Sequence, residues 1–143
     1  MNFIGNVSDL KSMNDHSQPV SQFKSKSGGK RIFSAFFYSI DGFRSAWKNE
    51  HAFRQELMLV LPGVLLALFL PVSALEKIAL IAVLLLVLIV ELLNSAIEAV
   101  VDRVSLDTNP LSKNAKDYGS AAVMLSLLLA LATWAVITLP LLL

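Results

Sequence analysis

Residues 78–101 read IALIAVLLLVLIVELLNSAIEAVV, and this stretch decides the fold. Its first half is entirely apolar, and at about 1.5 Å per residue a helix of this length crosses a hydrocarbon layer of about 30 Å. Its second half contains acidic and amide side chains, which are expensive inside a membrane and usually mark a functional region. The stretch therefore predicts a membrane-spanning helix with a polar face.

Two further apolar stretches, 57–72 and 121–143, predict additional spans. The first is short for the hydrocarbon layer and must recruit the turn before it. Pro62 is expected to kink this span without ending it. Pro71 and Ser73 predict a tight turn, so the first two spans should form a hairpin. We therefore expect an all-α membrane protein with three transmembrane helices, at about 53–72, 75–101 and 118–143.

Composition agrees with one small membrane domain. The chain has 143 residues, 55% of them hydrophobic, and a mean hydropathy of +0.64. It contains no cysteine, which excludes disulfides and thiolate chemistry. Residues 1–29 have too few apolar side chains to fold alone, so we expect a disordered N-terminal tail followed by a membrane domain over 30–143.

Residues 31–48 show a helical period in which six large apolar residues share one face. They are Phe33, Phe36, Phe37, Ile40, Phe43 and Trp47. Polar residues occupy the opposite sector, which predicts an amphipathic surface helix lying in the membrane interface. Arg44 projects from the apolar face, and it either snorkels to the lipid headgroups or contacts substrate.

Basic residues indicate the orientation of the spans. They crowd before the first span, whereas the turn between the first two spans has only Lys77. This asymmetry predicts a bacterial inner-membrane protein with a cytoplasmic N-terminus and a periplasmic C-terminus. The basic run at 24–31 suits anionic lipid headgroups better than nucleic acid, since no nucleic-acid-binding motif accompanies it.

Four polar residues share one face of the second span. Glu91, Asn94, Glu98 and Asp102 follow one another at spacings of three, four and four residues. A polar seam that joins helices is the alternative interpretation, but such a seam needs one amide rather than several acids. Three helices alone would give Glu91, Asn94 and Glu98 little cover from lipid, which predicts an oligomer.

A second acidic cluster lies where the surface helix meets the first span. Glu50 and Glu56 flank Arg54 and Gln55 at this boundary. Carboxylates from two helices that meet at one level can hold Mg²⁺ through a few oxygens and leave positions for phosphate. Lys116 would then supply a positive charge to that phosphate.

Three segments resemble the prokaryotic integral-membrane diacylglycerol kinases. They read WKNEHAFRQE at 47–56, ELLNSAIEAVVDR at 91–103 and AKDYGSAA at 115–122, and the resemblance extends from about residue 31 to the C-terminus. It implies a homotrimeric bundle with active sites shared between subunits. It also implies MgATP-dependent phosphorylation of diacylglycerol to phosphatidic acid.

The resemblance further implies roles for individual residues. Glu91 would be the general base on the lipid hydroxyl, supported by Asn94, while Glu50 and Glu98 would bind the metal and so contact the nucleotide. The other implied nucleotide contacts are Arg31, Tyr38, Asp107, Thr108, Asn109, Lys116 and Asp117. The implied lipid contacts are Arg31, Ser39, Arg44, Trp47, Phe53, Gln55, Glu56, Glu91, Ser120 and Trp134.

Some residues depart from the family pattern, and they leave alternatives open. Phe36, Ile40, Phe69 and Lys77 lie toward the lipid-contacting parts, so they bear on lipid preference and leave the phosphoryl-transfer residues intact. The related undecaprenol kinases share the middle motif, which makes a polyprenol the alternative substrate. A proton-linked small transporter is an alternative of another class, although its acids should lie near the bilayer midplane.

Overall fold

A computed structural model describes residues 28–104 and 109–143 of the chain, and these residues are helical without any strand. Helix α1 spans Gly28–Asn49, α2 spans His51–Phe69, α3 spans Ala74–Val104 and α4 spans Pro110–Thr138, followed by a 3₁₀ turn at Leu139–Leu141. Helices α2, α3 and α4 are long and apolar enough to cross a membrane. This confirms the predicted all-α class with three spans.

The described residues fall into two bodies, 28–39 and 40–143. The first body is the beginning of α1, which exposes Phe33, Phe36 and Phe37. Their rings meet edge to face, with centroids 4.9 Å apart for Phe33 and Phe37 and 5.8 Å apart for Phe36 and Phe37. The predicted tail lies outside the described residues, except for Gly28 and Gly29, which already belong to α1.

Helix α2 is ended by Pro71. The helix continues through Pro62, and it stops at Phe69 because a proline disfavours helical backbone in the residue before it. That residue, Leu70, is accordingly extended, with ψ of 142°. The short turn that follows returns the chain into α3, which confirms the predicted hairpin, and Lys77 Nζ donates across it to the Leu68 carbonyl at 2.7 Å.

Side-chain caps fix where α3 and α4 begin. The Ser73 N–H donates to Glu76 Oε2 at 2.7 Å and the Glu76 N–H donates to Ser73 Oγ at 3.3 Å, which is a capping box. At α4, Asn109 Oδ1 accepts from the Leu111 N–H at 2.8 Å and Pro110 occupies the first turn. The third span was expected from about residue 118, but these capping residues start the helix at Pro110.

Helix α3 is the middle helix of the body at 40–143. It packs most extensively against α4 and also against α2. Its buried residues Leu80, Val87 and Asn94 recur every seven positions, which is the repeat expected for helices that pack nearly parallel. The facing buried positions of α4 are small and let the two backbones approach closely; they are Gly119, Ser126 and Ala130.

Candidate active site

The polar face of α3 passes from the interior to the exposed end of the helix. Glu91 is 3% exposed and Asn94 is 9% exposed, whereas Glu98 is half-buried and Asp102 is exposed. The acids therefore form a path from a buried carboxylate to the C-terminal end of α3. Acidic residues within a membrane-spanning helix usually mark a functional region.

The single chain already covers the deeper half of this face. Helix α4 places Gly119 against Asn94, and α2 places Glu56 within electrostatic range of Glu91. The argument that three helices leave Glu91 and Asn94 uncovered was therefore wrong. It failed because the sequence does not show how closely the three helices pack.

Asn94 links two parts of the polar face. Its Nδ2 donates to Glu98 Oε1 at 3.2 Å. Both residues belong to α3, so this hydrogen bond does not link two helices. Within the described residues, the Asn94 Oδ1 atom is buried and has no hydrogen-bond partner.

Glu91 interacts electrostatically with three other carboxylates. Glu91 is within electrostatic range of Glu98 and of Glu50, the residue that precedes α2. Glu56 on α2 is also buried and is coupled to Glu91, and its Oε2 atom has no hydrogen-bond partner among the described residues. Like charges at this depth repel one another, and a bound cation would reduce that repulsion.

The donor set suits a magnesium ion held jointly with phosphate. Within residues 28–104 and 109–143, no three histidine, aspartate or glutamate side chains form a complete metal-binding group. Mg²⁺, however, commonly binds one or two carboxylates together with water and phosphate oxygens. Glu50 and Glu98, the predicted metal ligands, are each within electrostatic range of Glu91.

Lysines at the start of α4 border the exposed end of the acidic face. Lys116 Nζ lies 2.6 Å from Asp102 Oδ1, and this ion pair joins the start of α4 to the end of α3. Lys116 is also within electrostatic range of Glu98. Lys113 pairs with Asp117 one turn further along α4, at 2.6 Å. Lys116, the predicted phosphate-binding residue, therefore lies near Glu98, one of the two predicted metal ligands.

An arginine holds the corner between α1 and α2. Arg54 Nη1 donates to the Trp47 carbonyl at 2.8 Å and to the Lys48 carbonyl at 3.2 Å, and Nη2 lies 2.7 Å from His51 Nδ1. These are carbonyls that the end of α1 leaves without helical partners. Because Glu50 lies in this corner, Arg54 fixes the backbone that presents the Glu50 carboxylate.

An apolar pocket of about 420 Å³ lies between the end of α1, the start of α2 and the middle of α3. The rings of Phe43 and Phe53 form one side, with centroids 6.4 Å apart. Leu88 is on the other side, three residues before Glu91 on α3. The lining residues are Phe43, Arg44, Trp47, Phe53, Leu57 and Leu88. A pocket of this size with an apolar lining is of the kind that holds apolar ligands.

Several predicted contacts belong to other parts of the described structure or lie outside it. Arg31, Tyr38 and Ser39 belong to the first body, where Ser39 Oγ donates to the Ala35 carbonyl at 3.0 Å. Asp107 and Thr108 lie outside the described residues. Asn109 serves as the N-cap of α4.

The remaining predicted lipid contacts differ in their surroundings. Arg44 lines the apolar pocket and pairs with Asp41 at 3.2 Å, so its two possible uses stay open. Trp134 Nε1 donates to the Leu80 carbonyl at 3.3 Å, about 16 Å along α3 from Glu91 at about 1.5 Å per residue. A lipid contact of Trp134 would therefore lie far from Glu91 along α3. Gln55 and Ser120 are exposed.

The contacts of two residues near the site escaped the sequence analysis. Gly119 contacts Asn94, and Arg54 holds the corner beside Glu50. Both lie inside the segments 47–56 and 115–122, so their location was marked although their contacts were not. The contacts depend on how helices pack, which residue spacing does not specify.

Comparison with known proteins shows similarity to one enzyme family. The family model described as "Prokaryotic diacylglycerol kinase" matches residues 37–138. The diacylglycerol kinase of Pseudomonas aeruginosa is 55% identical over 119 residues, which cover 83% of this chain and 97% of the relative. The Escherichia coli K12 enzyme is 50% identical over 110 residues, covering 77% and 90%. The Helicobacter pylori enzyme is 44% identical over 107 residues, covering 75% and 84%.

Proposed function

Because the chain belongs to the prokaryotic diacylglycerol kinase family, we infer that it transfers the γ-phosphoryl group of ATP to the hydroxyl of diacylglycerol, giving phosphatidic acid. The observation that carries this conclusion is the identity of 50% and 55% with named diacylglycerol kinases over most of each chain. The polyprenol and transporter alternatives are not favoured by these relatives. The three apolar helices make it a membrane enzyme.

Glu91 is our proposed general base. A lipid hydroxyl is a poor nucleophile, and a carboxylate within about 2.6–3.2 Å can accept its proton as the phosphoryl bond forms. Glu91 is the most buried acid of α3 and lies three residues from the pocket residue Leu88. These two features support its assignment to the lipid side of the reaction. Asn94 would support the site through its hydrogen bond to Glu98.

The nucleotide side is assigned to the outer part of the polar face. Phosphoryl transfer in a kinase requires a metal ion, and we propose that Glu50 and Glu98 would hold Mg²⁺, which offsets the charge of the ATP phosphates when bound. Lys116 would contribute a positive charge beside them, exchanging its contact with Asp102 for phosphate oxygen. The other proposed nucleotide contacts are Arg31, Tyr38, Asp107, Thr108, Asn109 and Asp117.

The lipid side is assigned to the apolar pocket. Trp47, Phe53 and Arg44 line it, so a diacylglycerol there would bury part of its chains against aromatic rings. The pocket lies near the acid that would receive the hydroxyl proton. The proposed lipid contacts outside this pocket are Arg31, Ser39, Gln55, Glu56, Ser120 and Trp134.

We further propose a homotrimer in the bacterial inner membrane, with the N-terminus in the cytoplasm and the C-terminus in the periplasm. The resemblance implies the trimer. One subunit leaves most of its apolar helix surface free for neighbours, since only 17%, 22% and 11% of the apolar 18-residue stretches of α2, α3 and α4 are buried within it. The basic residues before α2 support the orientation.

A lipid-substrate assay tests the proposed function. The purified full-length protein in mixed micelles, supplied with MgATP, should consume ATP and form phosphatidic acid only when diacylglycerol is present. Undecaprenol in matched micelles serves as the competing acceptor. Faster phosphorylation of undecaprenol, or no product with diacylglycerol, would contradict the assignment.

A further inference from the structure

Gly119 of α4 lies against the Asn94 side chain of α3. Both residues are buried. A Cβ atom added to Gly119 would overlap Asn94 Oδ1, and it would lie 3.1 Å from Asn94 Cγ and 3.7 Å from Asn94 Cβ. The space that holds the amide therefore exists only because residue 119 has no side chain.

The amide is held from two sides. Asn94 Nδ2 donates to Glu98 Oε1 at 3.2 Å, which fixes the nitrogen end. Asn94 Oδ1 is buried without a hydrogen-bond partner among the described residues, and it lies in the direction of the Gly119 Cα–H bond. A Cα–H group pointing at a carbonyl oxygen makes a weak attractive contact, so glycine both provides the space and contacts the oxygen.

We propose that Gly119 is a positioning residue for phosphoryl transfer, because its missing side chain forms the slot that keeps the Asn94 amide turned toward Glu98. The inference rests on the proposed function, in which Asn94 and Glu98 belong to the site. Any side chain at position 119 forces the amide to rotate, which breaks its contact with the proposed metal ligand.

A second glycine of the same bundle serves as a matched control. A Cβ atom on Gly63 of α2 would lie 2.8 Å from Leu84 Cδ1 of α3 and 3.8 Å from Trp134 Cζ2. In both cases the obstructing atom is the end of a side chain on α3 that can rotate. Rotation of Leu84 rearranges an apolar contact, whereas rotation of Asn94 moves a polar group of the site. Gly42, with nothing within 4 Å, controls for added helix propensity.

The first test compares Gly119→Ala with Gly63→Ala and Gly42→Ala in the full-length protein. Gly119→Ala should lower kcat about 10- to 100-fold, since small misplacements of site groups have effects of this order, while KM for diacylglycerol changes little. Gly63→Ala, which also obstructs a side chain of α3, should lower the thermal midpoint and keep kcat within about twofold of the parent. Equal losses of kcat in the two variants would overturn the inference.

The second test asks whether Gly119 acts through Asn94. Asn94→Ala removes the amide, so adding Gly119→Ala to it should cost no further activity. If Asn94→Ala keeps the parental kcat, the proposed role of Asn94 fails and the inference fails with it. The inference about Gly119 alone is overturned if Asn94→Ala lowers kcat and Gly119→Ala does not. It is also overturned if the loss of kcat in the double variant equals the product of the losses in the two single variants.

A folding measurement covers the case in which Gly119→Ala does not accumulate. In Asn94→Ala/Gly119→Ala the new methyl group enters the space vacated by the amide, so the double variant should regain the thermal midpoint of Asn94→Ala. Recovery of the thermal midpoint would support the proposed slot for the Asn94 amide beside Gly119. A double variant that remains unfolded would overturn it, because the obstruction would then involve something other than Asn94.

Discussion

The two halves of α3 use the same packing repeat for different purposes. Leu80 and Val87 fill the buried positions of the first half, and Asn94 occupies the next position of the same repeat. Near Leu80 lies Trp134, and about one turn further along α3 Leu84 lies beside Gly63. Near Asn94 the neighbours include several carboxylates. The comparison teaches that the apolar half maintains the bundle, while the polar half replaces core residues with the groups that we propose for the chemistry.

The largest expected effect comes from the deepest acid of the polar half. Glu91→Gln keeps the shape of the side chain and removes the base, so it should lower kcat by about 10²–10⁴-fold. The apparent affinity for MgATP should stay nearly unchanged, because the proposed nucleotide ligands remain. Steady-state kinetics over both substrates measure this. A loss mainly of MgATP affinity would place Glu91 on the nucleotide side.

A core substitution in the apolar half should show the opposite behaviour. Leu80 is fully buried, so Leu80→Ala should reduce the free energy of unfolding by about 2–5 kcal/mol. The kcat of the protein that remains folded should be close to the parental value. Denaturation in detergent, with activity normalised to folded protein, measures both. A large loss of kcat in the folded fraction would contradict the proposed division of α3 into a packing half and a catalytic half.

The proposed metal ligands should respond to metal concentration. Glu50→Gln and Glu98→Gln should each raise the Mg²⁺ concentration needed for half-maximal activity by about tenfold or more, since each removes a carboxylate ligand. KM for diacylglycerol should change less. Asp41→Asn, a change on the exposed part of α1, is the control. Unaltered Mg²⁺ titrations in both glutamate variants would refute the assignment.

If active sites are shared between subunits, residues of one subunit complete the site of its neighbour. Mixing inactive Glu50→Gln subunits with inactive Glu91→Gln subunits should restore partial activity, because some sites would then combine two intact halves. Mixed oligomers must be demonstrated by two affinity tags on the same complex. Absence of recovery in such complexes would show that each subunit contains a complete site.

The smallest expected effect concerns the start of α4. Asn109→Ala removes the cap that accepts from the Leu111 N–H and should cost about 1 kcal/mol of stability. Its thermal midpoint should fall slightly. Asn109→Asp retains a capping oxygen and should restore the midpoint. An equal loss in the aspartate variant would mean that the amide has another role, such as the proposed nucleotide contact.

The sequence predicted the spans well because long apolar runs have few alternatives to a membrane helix. It placed the hairpin at Pro71 and Ser73 because proline restricts the backbone before it. It missed the start of α4 because residues 110–117 are polar and resemble a loop until the Asn109 cap is considered. Contacts such as that between Asn94 and Gly119 depend on the register between helices, which spacing along one helix does not determine.

The most direct test of the central claim measures two properties on the same samples. For Glu91→Gln and Leu80→Ala, the rate of diacylglycerol phosphorylation and the thermal midpoint are determined on purified full-length protein. The account predicts that Glu91→Gln loses the rate and keeps the midpoint, whereas Leu80→Ala loses the midpoint and keeps the rate of its folded fraction. Parallel loss of both properties in both variants would contradict the separation of chemistry from packing along α3.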